Sequence, residues 1–181
     1  MGTTLIERAI ELSELCHRNQ VRYDGSEYIL HPRRVAQLLL DHGFDDEITQ
    51  CEAHLHDTVE LTRSPEIARS LMGLIYRIFG DQIGDGVFVL SENMGDVGVS
   101  PVVKTEAYKR RLSDSRPDIQ RVKVADFLDN STDLHIYGPE SRIRRIAEAD
   151  SFYIPLALRV APTLANDLIG IIKEARAKYA K

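Results

Sequence analysis

Apolar side chains return at every third or fourth position along almost the whole of this chain, and proline or glycine punctuates the runs. A period of 3.6 marks helices that bury one face, and few segments show the strict alternation of half-buried strands. The expected fold is therefore all-α, a bundle of about eight or nine helices. With 181 residues, roughly 70% of the unfolded chain's surface can be buried. A single domain over 1–181 then needs no disulfide or structural metal, and a metal held here would serve function.

The helix starts can be read directly. Thr4-Leu5-Ile6-Glu7 forms a capping-box pattern, followed by Leu5, Ala9, Leu12 and Cys16 on one face. Residues 22–30, with Asp24-Gly25, read as a turn, and Pro32 fits the first position of a second helix that stops near Gly43. Asp45 or Asp46 caps a third helix carrying Ile48, Cys51 and Leu55. Ser64-Pro65-Glu66 opens a fourth that continues to Gly80, with a shorter helix over 83–90 behind it. From Glu92 to Pro101 no period holds, so this longest loop is a candidate lid over a ligand. One helix is expected over 104–113, another from Pro117, and two or three more between breaks at Gly138-Pro139, Pro155 and Pro162.

The 23 Lys+Arg against 28 Asp+Glu give a net charge of -5. No segment gathers enough basic residues to track a phosphate backbone, which argues against a nucleic-acid polymer as partner. A local Arg or Lys cluster can still bind one phosphate group. Cys16 and Cys51 make neither a disulfide framework nor a zinc-finger spacing, as expected of a reduced, cytoplasmic protein. No apolar run reaches the ~18 residues of a membrane span, and the N-terminal stretch lacks the apolar core of a signal peptide.

Helical bundles build metal and cofactor sites from inward side chains on facing helices. His56-Asp57, late in the third helix and followed by Glu60, is the most informative polar cluster, with Glu60 on the same helix face as both. His31 directly precedes the second helix start. Asp126 sits in the mostly apolar frame from Val122 to Leu128, where an isolated carboxylate is costly to bury unless it is paired or coordinates a metal. Two imidazoles and two carboxylates from three helices would leave positions open for water, a mixture that suits Mn, Fe or Zn without choosing among them. Each residue also has a plainer reading. His56-Asp57 alone is a polar helix end, Arg22 a solvated loop residue, Lys123 a helix-surface residue or the partner of a carboxylate, His17 and His54 structural histidines, and Tyr108-Lys109-Arg110-Arg111 a solvated face, although its place between the candidate lid and the Asp126 helix also suits a phosphate-facing patch.

Four stretches occur in order: His17-Arg18-Asn19-Gln20-Val21-Arg22-Tyr23-Asp24-Gly25, Tyr28-Ile29-Leu30-His31-Pro32, Ala53-His54-Leu55-His56-Asp57-Thr58-Val59-Glu60, and Val122-Lys123-Val124-Ala125-Asp126-Phe127-Leu128-Asp129-Asn130. Together they resemble the HD superfamily of metal-dependent phosphohydrolases, specifically the RelA/SpoT-type (p)ppGpp hydrolase domain, over residues 5–135. That resemblance implies an HD-type helical bundle in which His31, His56, Asp57 and Asp126 hold a divalent metal, normally Mn2+. It places Glu60 as the first of two acidic residues that handle the attacking water, and Arg22, Lys123 and Asn130 beside a small-molecule nucleotide. The implied reaction is hydrolysis of a nucleotide phosphate or pyrophosphate group, with (p)ppGpp 3′-pyrophosphohydrolysis as the specific form.

Three departures stand out. Leu61 occupies the place of the second acidic residue and can neither accept a proton nor orient water. Tyr23 replaces a basic residue, although its ring can stack on a base or sugar. Asp129 stands where a histidine or aromatic is common. Leu61 keeps a second reading open, a nucleotide- or metal-binding HD module with weak or lost hydrolysis, unless a carboxylate elsewhere, such as Asp96, takes that role.

Overall fold

A computed structural model describes residues 2–62, 64–92 and 100–179. Nine α-helices follow in these described residues: α1 (Leu5–Cys16), α2 (Leu30–Asp41), α3 (Glu47–Leu55), α4 (Pro65–Leu90), α5 (Pro101–Ser113), α6 (Pro117–Thr132), α7 (Pro139–Glu148), α8 (Ile154–Val160) and α9 (Pro162–Tyr179). The only extended pairing among them is one antiparallel bridge between Val21 and Glu27. The all-α expectation holds, and several caps are those the sequence announces. Thr4 and Glu7 close the capping box on α1, while Asp46 and Ser64 accept from the third backbone N–H of α3 and α4.

The structure shifts three boundaries and keeps a fourth. Helix α2 begins at Leu30, so Pro32 is its third residue, still within the first turn where a missing N–H costs nothing. The two helices expected around Gly80 are present: α4 is two helical runs joined across a kink at Gly80, whose φ 81 and ψ 175 are not helical. Helix α5 starts at Pro101 rather than 104, capped by Ser100, and residues 93–99 of the expected lid lie outside the described residues. The break read at Pro155 is a π turn over Ala149–Tyr153 leading into α8. Such a widened turn lets a helical path pass a residue that cannot donate a backbone hydrogen bond.

Two apolar clusters hold these helices together. One joins α2, α5, α6, α8 and α9 through Val35, Leu39, Leu112, Val122, Leu156 and Leu168. The other joins α1, α3 and α4 through Ala9, Cys51, Leu55, Ile75, Phe79 and Val87. Helix α6 is buried on every side from Val122 to Asp129, so it lacks the polar face of an ordinary surface helix. Polar residues carried by such a helix must find partners inside the protein. A buried acidic side chain packs α3 closely against α4. Glu52 is fully buried and lies against Gly86, where an added Cβ would stand 1.9 Å from Glu52 Oε1. The N-terminus of α2, the end of α3 and the middle of α6 meet between the two clusters.

Candidate metal centre and its cavity

Helix α3 ends at Leu55, and His56 continues with helical backbone angles as its C-cap. A run of turns follows, held by the Thr58 hydroxyl and N–H on the Leu55 carbonyl (2.7 and 3.1 Å) and by Leu61 N–H on the Asp57 carbonyl (3.3 Å). His56 and Asp57 therefore sit in the turn after the helix rather than late within it. From this turn, His56 Nε2 approaches His31 Nε2 at 3.3 Å. Asp126 Oδ1 lies 3.0 Å from His31 Nε2 and 3.7 Å from His56 Nε2. Asp57 Oδ2 lies 3.4 Å and 3.3 Å from the same two nitrogens. The ligand atoms of His31, His56 and Asp126 all fall within 4.8 Å of one another.

The opposite edge of each imidazole is fixed. His31 Nδ1 donates to Asp129 Oδ2 at 2.7 Å, and His56 Nδ1 donates to the Ala53 carbonyl at 2.8 Å. A carboxylate and a carbonyl only accept, so both Nδ1 atoms carry hydrogen and both Nε2 atoms face the shared point, where a lone pair is freed once the ring loses its second proton. Arg34 in turn clamps Asp129 with two hydrogen bonds, 2.7 and 2.9 Å. The Tyr28 hydroxyl donates to Asp57 Oδ2 at 2.6 Å, its own proton retained because burial and the Asp57 charge oppose ionisation.

Electrostatics agree with a cation-demanding centre. Burial alone would neutralise His56, yet Asp57 and Asp126 hold it protonated up to about 9. Asp126 is buried too, and Lys123, His31 and His56 keep its carboxyl well below the usual range. Two carboxylates, Asp126 buried and Asp57 at the cavity wall, thus draw positive charge to the point between them, as protons on the imidazoles or as a metal ion. Nitrogen and oxygen donors converging in this way fit a divalent cation.

The centre opens into a cavity of about 1220 Å³ lined by residues of α5, α6 and α7 and by the segments around Arg22, Asp57 and Glu92. Its walls include Arg22, Tyr23, Asp57, Glu60, Lys123, Asp126 and Asn130, while His31 and His56 lie buried beneath them. Lys123, buried on α6, reaches Asp126 Oδ2 at 3.0 Å and Glu92 Oε1 at 3.2 Å. Asn130, one turn beyond Asp126, donates to its Oδ1 at 2.6 Å and accepts from Arg22 at 2.9 Å. Burial and the charges of Asp57 and Glu92 push Glu60 up to about 7, against the pull of Lys123.

No family model matches the chain. Sequence comparison aligns it with a probable GTP pyrophosphokinase of Mycobacterium leprae, 32% identical over 162 residues that make up 87% of this chain and 19% of that protein. It also aligns with a guanosine-3′,5′-bis(diphosphate) 3′-pyrophosphohydrolase of Aquifex aeolicus, 31% identical over 168 residues, 90% of this chain and 23% of that one. A solved structure of a metazoan SpoT ortholog, described as hydrolysing ppGpp, superposes with a TM-score of 0.78 over 96% of this chain and 97% of that one, at 20% identity. The chain is a RelA/SpoT-type HD domain. It spans about a fifth of the length of the curated relatives it matches.

Within this HD domain, all nine residues singled out from sequence come together at one cavity and the floor beneath it. Arg22 and Asn130 are engaged with each other, and Tyr23 stands at the rim, 89% exposed, with its ring edge toward Tyr137 at 6.2 Å. His17 and His54 are buried as structural residues; burial lowers both, His54 to about 4. Of the run 108–111, Tyr108 and Lys109 line the cavity, and Arg111 donates to the Ser91 carbonyl at 2.9 Å. Sequence reasoning missed the Arg34–Asp129 clamp, the Tyr28 hydroxyl, Glu92 and the α7 pair Arg144 and Arg145. Tyr28 lies inside one of the four stretches that carry the resemblance; Arg144 and Arg145 lie beyond residue 135, where the chain reads only as further helices.

Proposed function

We propose that the domain is a divalent-metal-dependent phosphohydrolase that acts in the cytoplasm on a small nucleotide, with Mn2+ as its ion and (p)ppGpp 3′-pyrophosphate hydrolysis as its reaction. The observation that carries this reading is the convergence of His31 Nε2, His56 Nε2, Asp57 Oδ2 and Asp126 Oδ1 at the floor of a cavity whose wall holds Glu60. A divalent ion held there supplies Lewis acidity toward a phosphoryl oxygen and toward water. Glu60, with an affinity for protons near neutrality, accepts a proton from the attacking water. Lys123 and Arg22 meet negative charge on the phosphate group, Asn130 orients it, and Tyr23 offers a ring for the base or sugar. Arg144 and Arg145 add cationic groups to the far wall.

The names of the Aquifex and metazoan proteins support the choice of substrate. The test is product-resolved hydrolysis of ppGpp by Mn2+-loaded protein beside an Asp126→Ala control and a panel of other nucleotides. GDP and pyrophosphate released only by the intact centre are the expected outcome. Turnover of another nucleotide alone would replace the substrate, and silence across the panel would overturn the reading in favour of a binding module.

A further inference from the structure

The cavity wall presents a second carboxylate beside Glu60, from a segment far away in sequence. Glu92 follows the end of α4, and its backbone N–H donates to Glu60 Oε2 at 3.3 Å. Its own carboxylate meets Lys123 at 3.2 Å, the same ammonium that meets Asp126 at 3.0 Å. The turn that carries it is fixed from behind. Ser91 is fully buried, its hydroxyl donates to the Val87 carbonyl at 2.8 Å, and its carbonyl accepts from Arg111. Glu92 is thus held at the wall by a buried hinge and a buried cation, while its side chain stays 47% exposed toward the cavity. Leu61 lines the same wall and has no group that can bind water.

We infer that Glu92 is the second carboxylate of a water-handling pair, holding the attacking water together with Glu60 from the end of α4. The inference rests on the phosphohydrolase reading above. In the step assigned to the pair, the water oxygen forms a bond to phosphorus while the bond from phosphorus to the leaving oxygen breaks. One water proton passes to Glu60, which releases it to solvent, and the leaving oxygen keeps the electron pair of the broken bond and takes a proton from solvent. Glu92 accepts a hydrogen bond from the same water, and its anionic charge favours the protonated form of Glu60 beside Lys123 and Asp57.

Steady-state hydrolysis of ppGpp by Glu92→Gln, with and without Leu61→Asp, tests this. Glu92→Gln is expected to lower kcat by roughly ten-fold or more with KM little changed, and Leu61→Asp in the same chain to restore part of the loss. An unchanged kcat, a loss confined to KM, or a loss that Leu61→Asp leaves untouched would overturn the inference. If the unaltered protein turns over no nucleotide, the phosphohydrolase reading itself fails. Where the protein is active, carboxyl-carbon NMR of its metal-free form adds a second readout: the Glu60 midpoint is expected to fall in Glu92→Gln, and an unmoved midpoint would count against the pair.

Discussion

An imidazole serves a metal only in the tautomer that points a lone pair at it, and in this domain an aspartate imposes that choice on His31. Asp129 accepts from Nδ1 and is itself held by Arg34, so the ring cannot turn or shift its hydrogen without breaking a buried ion pair. Asp129→Asn keeps the volume and removes the charge. We expect it to weaken Mn2+ binding by about 10–100-fold, read by calorimetric titration, with little change in the far-ultraviolet spectrum. Glu52 makes a different case. Burial and the Asp118 charge raise it to about 8 despite Arg116 Nη2 at 2.7 Å, because Arg116 also bonds Asp118. The folded state thus keeps a proton that the unfolded chain releases near its ordinary 4.5. Stability from this group is complete below that value and is lost as pH rises through about 8. Against a Glu52→Gln control, thermal or urea unfolding should show the natural protein losing on the order of 2 kcal/mol between about pH 5 and pH 8. The centre's own residues were legible because polar types recur inside apolar frames. Asp129 and Glu92 were not, since their partners lie on other elements and only packing brings them together.

At the scale of elements, caps and periods specified where helices begin, and local chemistry decides how they continue. The capping box at Thr4 and the Ser64-Pro65 start were readable because both act within four residues. The turn after α3 was not, since its bonds mimic helical spacing while releasing His56 and Asp57 toward α2 and α6. Gly80 carried a real signal. It was readable as an end, and the helical angles do break at this residue, where α4 kinks between two helical runs. Its φ of 81 belongs to a region essentially reserved for glycine, and an added Cβ would meet nothing within 4 Å. Gly80→Ala should therefore cost about 1–3 kcal/mol through backbone strain alone, measurable by denaturant titration. Gly86 is the contrasting position. There the backbone is helical and the obstacle is Glu52, locked by Arg116, so Gly86→Ala should cost about 1–3 kcal/mol by overpacking. Truncating the obstacle in Gly86→Ala/Glu52→Ala should relieve part of that cost, whereas pairing Glu52→Ala with Gly80→Ala should relieve none.

At the scale of the molecule, the resemblance read from residues 5–135 stops where α7 begins, yet the core does not. Ile146, Tyr153, Leu156, Leu164 and Leu168 pack in one cluster with Val122, Phe127 and Leu128 of α6, and the rings of Phe127 and Tyr153 stack at 3.8 Å. We propose that 1–181 unfolds as one unit. Calorimetry should show a single transition, and a chain cut after residue 136 should lose cooperative unfolding because α6 would then expose an apolar side. Late helices look generic in sequence because their task is to cover α6, a task that many apolar patterns meet.

Helix α6 has no solvent face between Val122 and Asp129, and this bears on time as well as on structure. Amides in a segment sealed on all sides exchange with water only when the whole fold opens. The Asp126 and Asp129 corner of the centre is therefore expected to share the lifetime of the native state, while the cavity is walled by α5, α7 and the end of α4. Slow hydrogen exchange along α6, beside faster exchange at the start of α5, would be the kinetic trace of a fixed floor beneath a working rim.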